Sequence, residues 1–426
     1  MINTYTILIT KIFRRCQKKK FNHKILIPKK ENYFYPLSDN NLSREDLDEG
    51  IKVLNSRRIT MGIKTKLFEE KFKKKLKVKY ALMVNSGSSA NLLAAFASCN
   101  PMRKNRFNNG DHAIIQSLCW PTSLWPLVQT GLKINFVDVD PKTLNVKADE
   151  VIKKVTKKTK VILIINVLGI SSDIKKIRNF CKKKKIILIE DNCEALGAKF
   201  NKKYLGTYGD FSTFSFFYSH QITSGEGGMI VCKNKNDYDI LKSLRSHGWS
   251  REKKVADKYP NLDPRYIFLN SGFNLRPTDI QAAIGLSQLN KLEKFKKTRL
   301  QNMKKIVKNL QNDPKWNDQF QFIKVPKGIS PSYMVFPIML HSRYKNKKID
   351  FINFIESKGI QTRPIISGNF ANQPASKLFK LNLSRSKFQG CNQVQELGFV
   401  IGMHTKKITK REINILTKSL LSIDSI

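Results

Sequence analysis

From about Tyr35 the chain carries two rhythms of apolar and polar positions. LSREDLDEGIKVL (42–54) and TKLFEEKFKKKL (65–76) space their apolar residues three and four apart, the first behind a Ser cap, which predicts two amphipathic helices. Short apolar runs then alternate with helical stretches: YALMV, a helix over 88–97, DHAIIQS, LKINFVDV, a helix over 149–158, VILIINVLG, a helix over 174–184, and IILIED. Apolar runs of four to seven residues between helices predict a mainly parallel central sheet covered on both faces, an α/β architecture. LNKLEKFKKTRLQNMKKIVKNL (289–310) predicts a long connecting helix, and YMVFPIML and KIDFINFIESKG beyond it predict a smaller α+β domain. The expected organisation is a basic N-terminal extension (1–34), a large α/β domain (35–288), and the connecting helix with the small domain (289–426). No internal repeat is visible.

Composition narrows the class. The 41% hydrophobic and 10% aromatic content supplies a core and excludes wholesale disorder. No apolar run approaches the ~18 residues of a membrane-crossing helix. The seven cysteines show no CxxC pair or metal-ligand spacing, and their odd number opposes a closed disulfide framework. An apolar stretch before a basic one at the N-terminus is the reverse of a secretory signal, so a cytoplasmic protein is expected. The net charge of +45 suggests a polyanion partner. However, lysines outnumber arginines by 61 to 17 and are spread along the chain, which fits solvated helix faces better than nucleic-acid readout. Neither nucleic acid nor membrane is expected as a partner, while a positive surface favours an anionic small substrate.

Several segments carry candidate chemistry. NSGSSANLLAAF places Gly87, Ser88 and Ser89 at a strand end before a helix, where backbone amides and the helix dipole favour an anion; a plain helix cap has the same ingredients. IILIEDNCEALGA ends a strand in Glu190 and Asp191, where α/β proteins place their ligands, and Asp191 suits a protonated ring nitrogen as well as it suits a helix cap. DFSTFSFFYSHQITSGEGGMIV combines Ser215, His220 and a glycine-rich turn able to admit close backbone approach. Trp120 has a flat face for stacking or for the core. GFNLRPTDIQAAIG sets Asn274 and Arg276 before a helix expected near Pro277, a second anion site.

In combination these pieces are far more specific. GSS-AN, ED-x-x-x-A-x-G, G-x-x-GDF-x-TFSF, ITSGEGGMI and N-x-R-x-TDIQAAIG occur in this order from Tyr35 to the C-terminus. They resemble the DegT/DnrJ/EryC1/StrS sugar aminotransferases, fold type I pyridoxal-phosphate enzymes with a large domain and a smaller C-terminal α+β domain. In that family the residue five after the serine of TFSF is the lysine that anchors the coenzyme; here it is His220. FYSHQITSGEGG, EDNCEALGA, LRSHGWSRE, TRPIISGNF and GFVIGMH are similar to the branch that removes the C3 hydroxyl of a nucleotide-linked 4-keto-6-deoxyhexose. A sister branch holds an iron–sulfur cluster on cysteines after the GEGG segment, but no cysteine lies between Val255 and Arg276, so neither cluster nor other metal is expected.

The resemblance implies pyridoxal 5′-phosphate and its pyridoxamine form, held without covalent attachment. It implies L-glutamate as amino donor, an NDP-4-keto-6-deoxyhexose (GDP-4-keto-6-deoxymannose preferred) as substrate, and a role in dideoxysugar synthesis for surface polysaccharide. It assigns the phosphate to Gly87, Ser88 and Ser215, with Asn274 reaching across a homodimer. Trp120 would stack on the pyridine ring, Asp191 pair with its nitrogen and Glu194 lie near its 3-hydroxyl, while His220 is the general base, a proton carrier by its near-neutral pKa. His247, Arg251 and Arg276 are candidates for the sugar nucleotide or the glutamate carboxylate, and His404 is a further candidate. Two other readings stay open: an aminotransferase served by another lysine, and a non-catalytic relative acting as a binding protein.

Overall fold

A computed structural model describes residues 33–250, 253–381 and 388–426, so Arg251 and almost all of the expected basic extension lie outside the described residues. Seven strands form the main sheet: β1 (Tyr80–Val84), β2 (His112–Gln116), β3 (Lys133–Val137), β4 (Thr159–Ile165), β5 (Ile187–Asp191), β8 (Phe211–Ser215) and β9 (Gly228–Cys232). Between β5 and β8, the short strands β6 (Lys199–Phe200) and β7 (Lys203–Tyr204) make a hairpin apart from this sheet. The main sheet runs β1-β9-β8-β5-β4-β2-β3, and β9 alone opposes the other six in direction. Every residue of β5, β8 and β9 is buried, as continuous apolar runs require when both faces are covered. The fold is the expected α/β type.

Helix ends follow local chemistry. Ser43 and Asp46 form a reciprocal capping box that starts the helix Arg44–Asn55. The helix expected over 149–158 is shorter, Ala148–Lys153, because Thr156 and Thr159 close a turn of their own: the Thr159 hydroxyl accepts from the Thr156 N–H at 3.0 Å, and the Thr159 N–H bonds back at 3.0 Å. The long helix starts ten residues earlier than expected, at Asp279, and continues to Gln311. Its N-terminus is closed by the chain itself. The Thr278 hydroxyl takes the Gln281 N–H, and the Asp279 carboxylate accepts from the N–H groups of Gly62 (2.8 Å), Lys64 (3.0 Å) and Thr65 (2.9 Å). At the helix end expected near Pro277 as a second anion site, two N–H groups are already taken: that of Gln281 by Thr278 and that of Asp279 by the Ile59 carbonyl at 3.0 Å.

A second, four-stranded antiparallel sheet is ordered β12 (Phe320–Phe322), β14 (Val335–Leu340), β16 (Gly398–Gly402), β15 (Thr362–Arg363). β13 (Ile329–Ser330) joins β6, and β10 (Trp249–Ser250) pairs with β11 (Ile267–Phe268) in a small arm. One apolar core runs through both large sheets, and a smaller cluster around Phe68, Phe72, Phe214 and Phe216 seats β8 against the helix Ile63–Leu76. Phe68 meets Phe216, and Phe72 meets Phe214, at 5.1 Å between ring centres. This aromatic packing holds the strand that leads into His220. Among the described residues no helix is long and apolar enough to cross a membrane.

Candidate active site

The polar groups singled out in the sequence gather where β1, β5 and β8 end on one edge of the main sheet. β1 stops at Val84, opposite Gly228, and Gly228 also faces Ser215 at the end of β8. Ser86 then caps the helix Gly87–Ser98 by accepting the Ser89 N–H at 3.1 Å. Ser89 therefore does not face an anion as expected; it is buried and bonded to its own cap, whereas Ser88 is exposed and donates to the Thr122 hydroxyl at 3.0 Å. Gly87 is required by space: a Cβ there would lie 2.5 Å from the Ser215 Cβ and 2.9 Å from the Cys193 sulfur. The glycine-rich turn serves the same edge, since a Cβ on Gly228 would strike the Ser86 carbonyl.

The paired acids of β5 separate by strand alternation, neighbouring side chains pointing to opposite faces. Glu190 accepts the N–H groups of Gly206 (3.0 Å), Tyr208 (2.6 Å) and Gly209 (2.6 Å), a structural role that closes the loop before β8. Asp191, 3% exposed, accepts from the Asn91 amide (2.8 Å), the Ser123 hydroxyl (2.7 Å) and the Cys193 N–H (3.0 Å). Asn91 and Ser123 escaped the sequence reading. Their signal was helical spacing: Asn91 is one turn beyond Gly87, and Ser123 is three residues beyond Trp120, whose side chain stands 56% exposed at the start of the helix Pro121–Gln129.

His220 sits in a loop whose stem is closed by bonds from Phe216 N–H to the Gly227 carbonyl (2.8 Å) and from Ser224 N–H to the Phe216 carbonyl (2.9 Å). Its ring lies 5.8 Å from the Phe217 ring, and its Nδ1 is buried without a hydrogen-bond partner among the described residues. Burial pushes the imidazole down to about 4; the Ser215 backbone and Asp191 pull the other way, and Arg299 adds to the lowering. The imidazole is therefore neutral at neutral pH, the form in which a base accepts a proton, but burial leaves it less basic than the near-neutral value expected from the sequence. Glu194 is pushed up to about 7, chiefly by burial and against the Leu168 N–H that it accepts at 3.2 Å, with Asp191 adding to the rise.

This raised carboxyl gives a testable stability effect. Between pH 4.5 and 7 the folded state holds a proton on Glu194 that the unfolded state has lost, so this group costs stability as pH rises through 7. Urea unfolding of the coenzyme-free chain should show Glu194→Gln gaining roughly 2–3 kcal/mol on the wild type between pH 5 and pH 8. The oppositely directed His220 effect is common to both proteins and cancels. An equal gap at the two pH values would contradict the assignment.

Asn274, His247 and Arg276 come together on the exposed side of the same edge. The Arg276 Nε donates to the Asn274 side-chain oxygen at 2.9 Å, and its terminal nitrogen lies 3.3 Å from the His247 Nε2. The Leu275 carbonyl between them accepts the Asn85 N–H at 3.1 Å, which fixes the cluster beside the end of β1. His404 is a correction. It is buried, stacks on Tyr35 with ring centres 4.2 Å apart and meets the Pro36 carbonyl at 2.8 Å, so it is a packing residue. Among the described residues no group of three or more His, Cys, Asp or Glu side chains is placed to hold a metal ion.

Six co-directional strands with a reversed one beside β1, polar groups at their carboxyl ends and an antiparallel C-terminal sheet define the fold type I class of pyridoxal-phosphate-dependent transferases. Within that class, the DegT/DnrJ/EryC1/StrS aminotransferase family model matches residues 40–413, and the chain belongs to this family. Among its relatives, GDP-4-keto-6-deoxy-D-mannose 3-dehydratase of Yersinia pseudotuberculosis is 34% identical over 90% of this chain and 98% of its own length. A solved structure of the Escherichia coli GDP-4-keto-6-deoxy-D-mannose-3-dehydratase with bound hydrated PLP superposes with a TM-score of 0.82 at 32% identity, covering 91% of this chain and all of that one. A structure of a 3-dehydratase of the same specificity with a trapped PLP-glutamate geminal diamine gives 0.80 at 32% identity and the same coverage.

Proposed function

We propose that this chain removes the C3 hydroxyl of a nucleotide-linked 4-keto-6-deoxyhexose, with GDP-4-keto-6-deoxymannose as the preferred substrate and L-glutamate as the source of the amino group. The observation that carries the reading is His220, an imidazole of lowered proton affinity at the position where aminotransferases of the family keep lysine. Relatives with this specificity at about a third identity over nine tenths of the chain support it.

The residues fit the coenzyme. Gly87 lets the helix start approach Ser215 and Cys193 where no Cβ fits, Trp120 presents an uncovered ring, and His220 carries a buried nitrogen without a partner among the described residues. In this reading Gly87, Ser88 and Ser215 hold the phosphate, and Asn274, exposed on one chain, serves the site of a second copy in a homodimer. Bound coenzyme supplies the amine and the electron sink. Trp120 orients its ring, and Asp191, itself fixed by Asn91 and Ser123, keeps the ring nitrogen protonated. Glu194, carrying a proton through much of the neutral range, is suited to bond the 3-hydroxyl. His220 would be the base that moves the proton on the coenzyme carbon bearing the amine. His247 and Arg276 offer a cationic pair for the glutamate carboxylate or the nucleotide phosphates, and Arg251 remains a candidate from the sequence. The reaction consumes one glutamate per sugar and yields the 3-deoxy-4-keto sugar, 2-oxoglutarate and ammonia. A cytoplasmic location and dideoxysugar synthesis for surface polysaccharide accord with this chemistry.

Incubation with pyridoxal phosphate, glutamate and a panel of GDP- and CDP-4-keto-6-deoxyhexoses should release ammonia and 2-oxoglutarate in equal amounts. An amino sugar formed without ammonia, or a coenzyme trapped on a lysine by borohydride, would favour the aminotransferase. Failure to bind either coenzyme form would favour a non-catalytic relative.

A further inference from the structure

Arg299 lies in the middle of the helix Asp279–Gln311 and is 1% exposed, the largest of the fully buried side chains. Its guanidinium makes no ion pair among the described residues. It is spent on three backbone carbonyls: His220 (3.3 Å), Gln221 (3.0 Å) and Met403 (3.0 Å), the last on the segment leaving β16. Burying a cation is costly unless its donors are satisfied, and a planar guanidinium fixes the direction of each bond it makes. Gln221 extends the network: its side-chain amide donates to the Glu194 carbonyl (2.5 Å) and to the Ser332 carbonyl (3.0 Å). One arginine therefore ties the backbone of the candidate base to the turn carrying Glu194 and to the second sheet.

We infer that Arg299 is a positioning residue for His220, which holds the imidazole-bearing loop in register through its carbonyls and couples that loop to the C-terminal sheet. This rests on the dehydratase reading for its effect on turnover, but its geometry does not depend on that reading. Burial is the dominant influence on the imidazole's proton affinity, followed by the Ser215 backbone from β8, Asp191 from β5 and the Arg299 cation from the long helix. Arg299 is pulled down only to about 10 and stays charged at neutral pH, so removing it takes away a cation that disfavours protonation of His220.

The experiment uses the full chain and the variants Arg299→Met and Arg299→Lys. In the coenzyme-free proteins, the His220 ring is titrated by NMR and assigned by comparison with His220→Asn. The midpoint should rise by ~0.5–1 pH unit in Arg299→Met and stay near wild type in Arg299→Lys, which keeps the charge. In the loaded enzymes, kcat per coenzyme-binding site should fall roughly 10–100-fold in Arg299→Met and less in Arg299→Lys, with KM for the sugar nearly unchanged. An unmoved midpoint with unchanged kcat, or a return of both variants to the midpoint of an exposed histidine, would overturn the inference. If Arg299→Met does not fold, Arg299→Lys decides by its kcat; if neither folds, the residue is a folding residue and the inference fails. Absence of sugar turnover in the wild type would strike the dehydratase reading instead and leave the titration result standing.

Discussion

His220→Asn is expected to abolish release of the 3-deoxy sugar, lowering kcat by roughly 10²–10⁴-fold, the usual worth of a positioned general base, while the coenzyme still binds. Asparagine keeps the polarity and approximate size of the side chain but cannot take up a proton near neutral pH. Binding should survive because the groups proposed to hold the coenzyme stand on other elements. Gly87 and Ser88 begin a capped helix, Ser215 and Asp191 end two buried strands, and Trp120 opens a second helix. A spectral titration with pyridoxal phosphate separates binding from turnover. His220→Lys is the converse. A lysine at this position can attach to the coenzyme, so borohydride should trap the complex and any residual activity should shift toward amino sugar. Wild-type turnover in His220→Asn would remove the imidazole from the mechanism.

Asp191→Asn should cost at least about a hundredfold in turnover, the scale of losing one preorganised electrostatic partner in a dry site. The native carboxylate accepts the Asn91 amide and Ser123 hydroxyl on one oxygen and the Cys193 N–H on the other. An asparagine has a single acceptor oxygen. If it serves Asn91 and Ser123, its NH₂ must face the Cys193 N–H, donor against donor, and it can no longer keep a ring nitrogen protonated. An unsatisfied buried group also costs ~1–3 kcal/mol of stability. The absorbance of the bound coenzyme reports the ring protonation directly, and thermal unfolding reports the second loss. A variant with native spectrum and native turnover would show that Asp191 only caps its turn, the plainer reading that its sequence context also allows.

The chain's local signals specified much of this protein unaided. Continuous apolar runs bounded by helices specify buried strands of a mostly parallel sheet, because only a sheet covered on both faces tolerates them. The ordered motifs around Gly87, Asp191, Ser215 and His220 were legible because each lies at the end of a strand, where the chain must turn and its short-range chemistry is explicit. Long-range partners decided the rest. The two acids at the end of β5 look equivalent as text, yet strand alternation and the loop 206–209 make Glu190 a backbone anchor and leave Asp191 at the site. His404 reads as a candidate until Tyr35, hundreds of residues away in sequence, stacks on it. The helix end expected near Pro277 as an anion site has its Gln281 N–H taken by Thr278 and its Asp279 N–H taken by the carbonyl of distant Ile59. Arg299 gives no local sign at all, being one basic residue in a lysine-rich helix. Its three carbonyl partners are brought to it only by packing between the long helix, the His220 loop and the second sheet. Local spacing determines which elements form and which groups stand at their ends, whereas the protonation and orientation of those groups depend on burial and on distant partners that exist only after the chain has closed on itself.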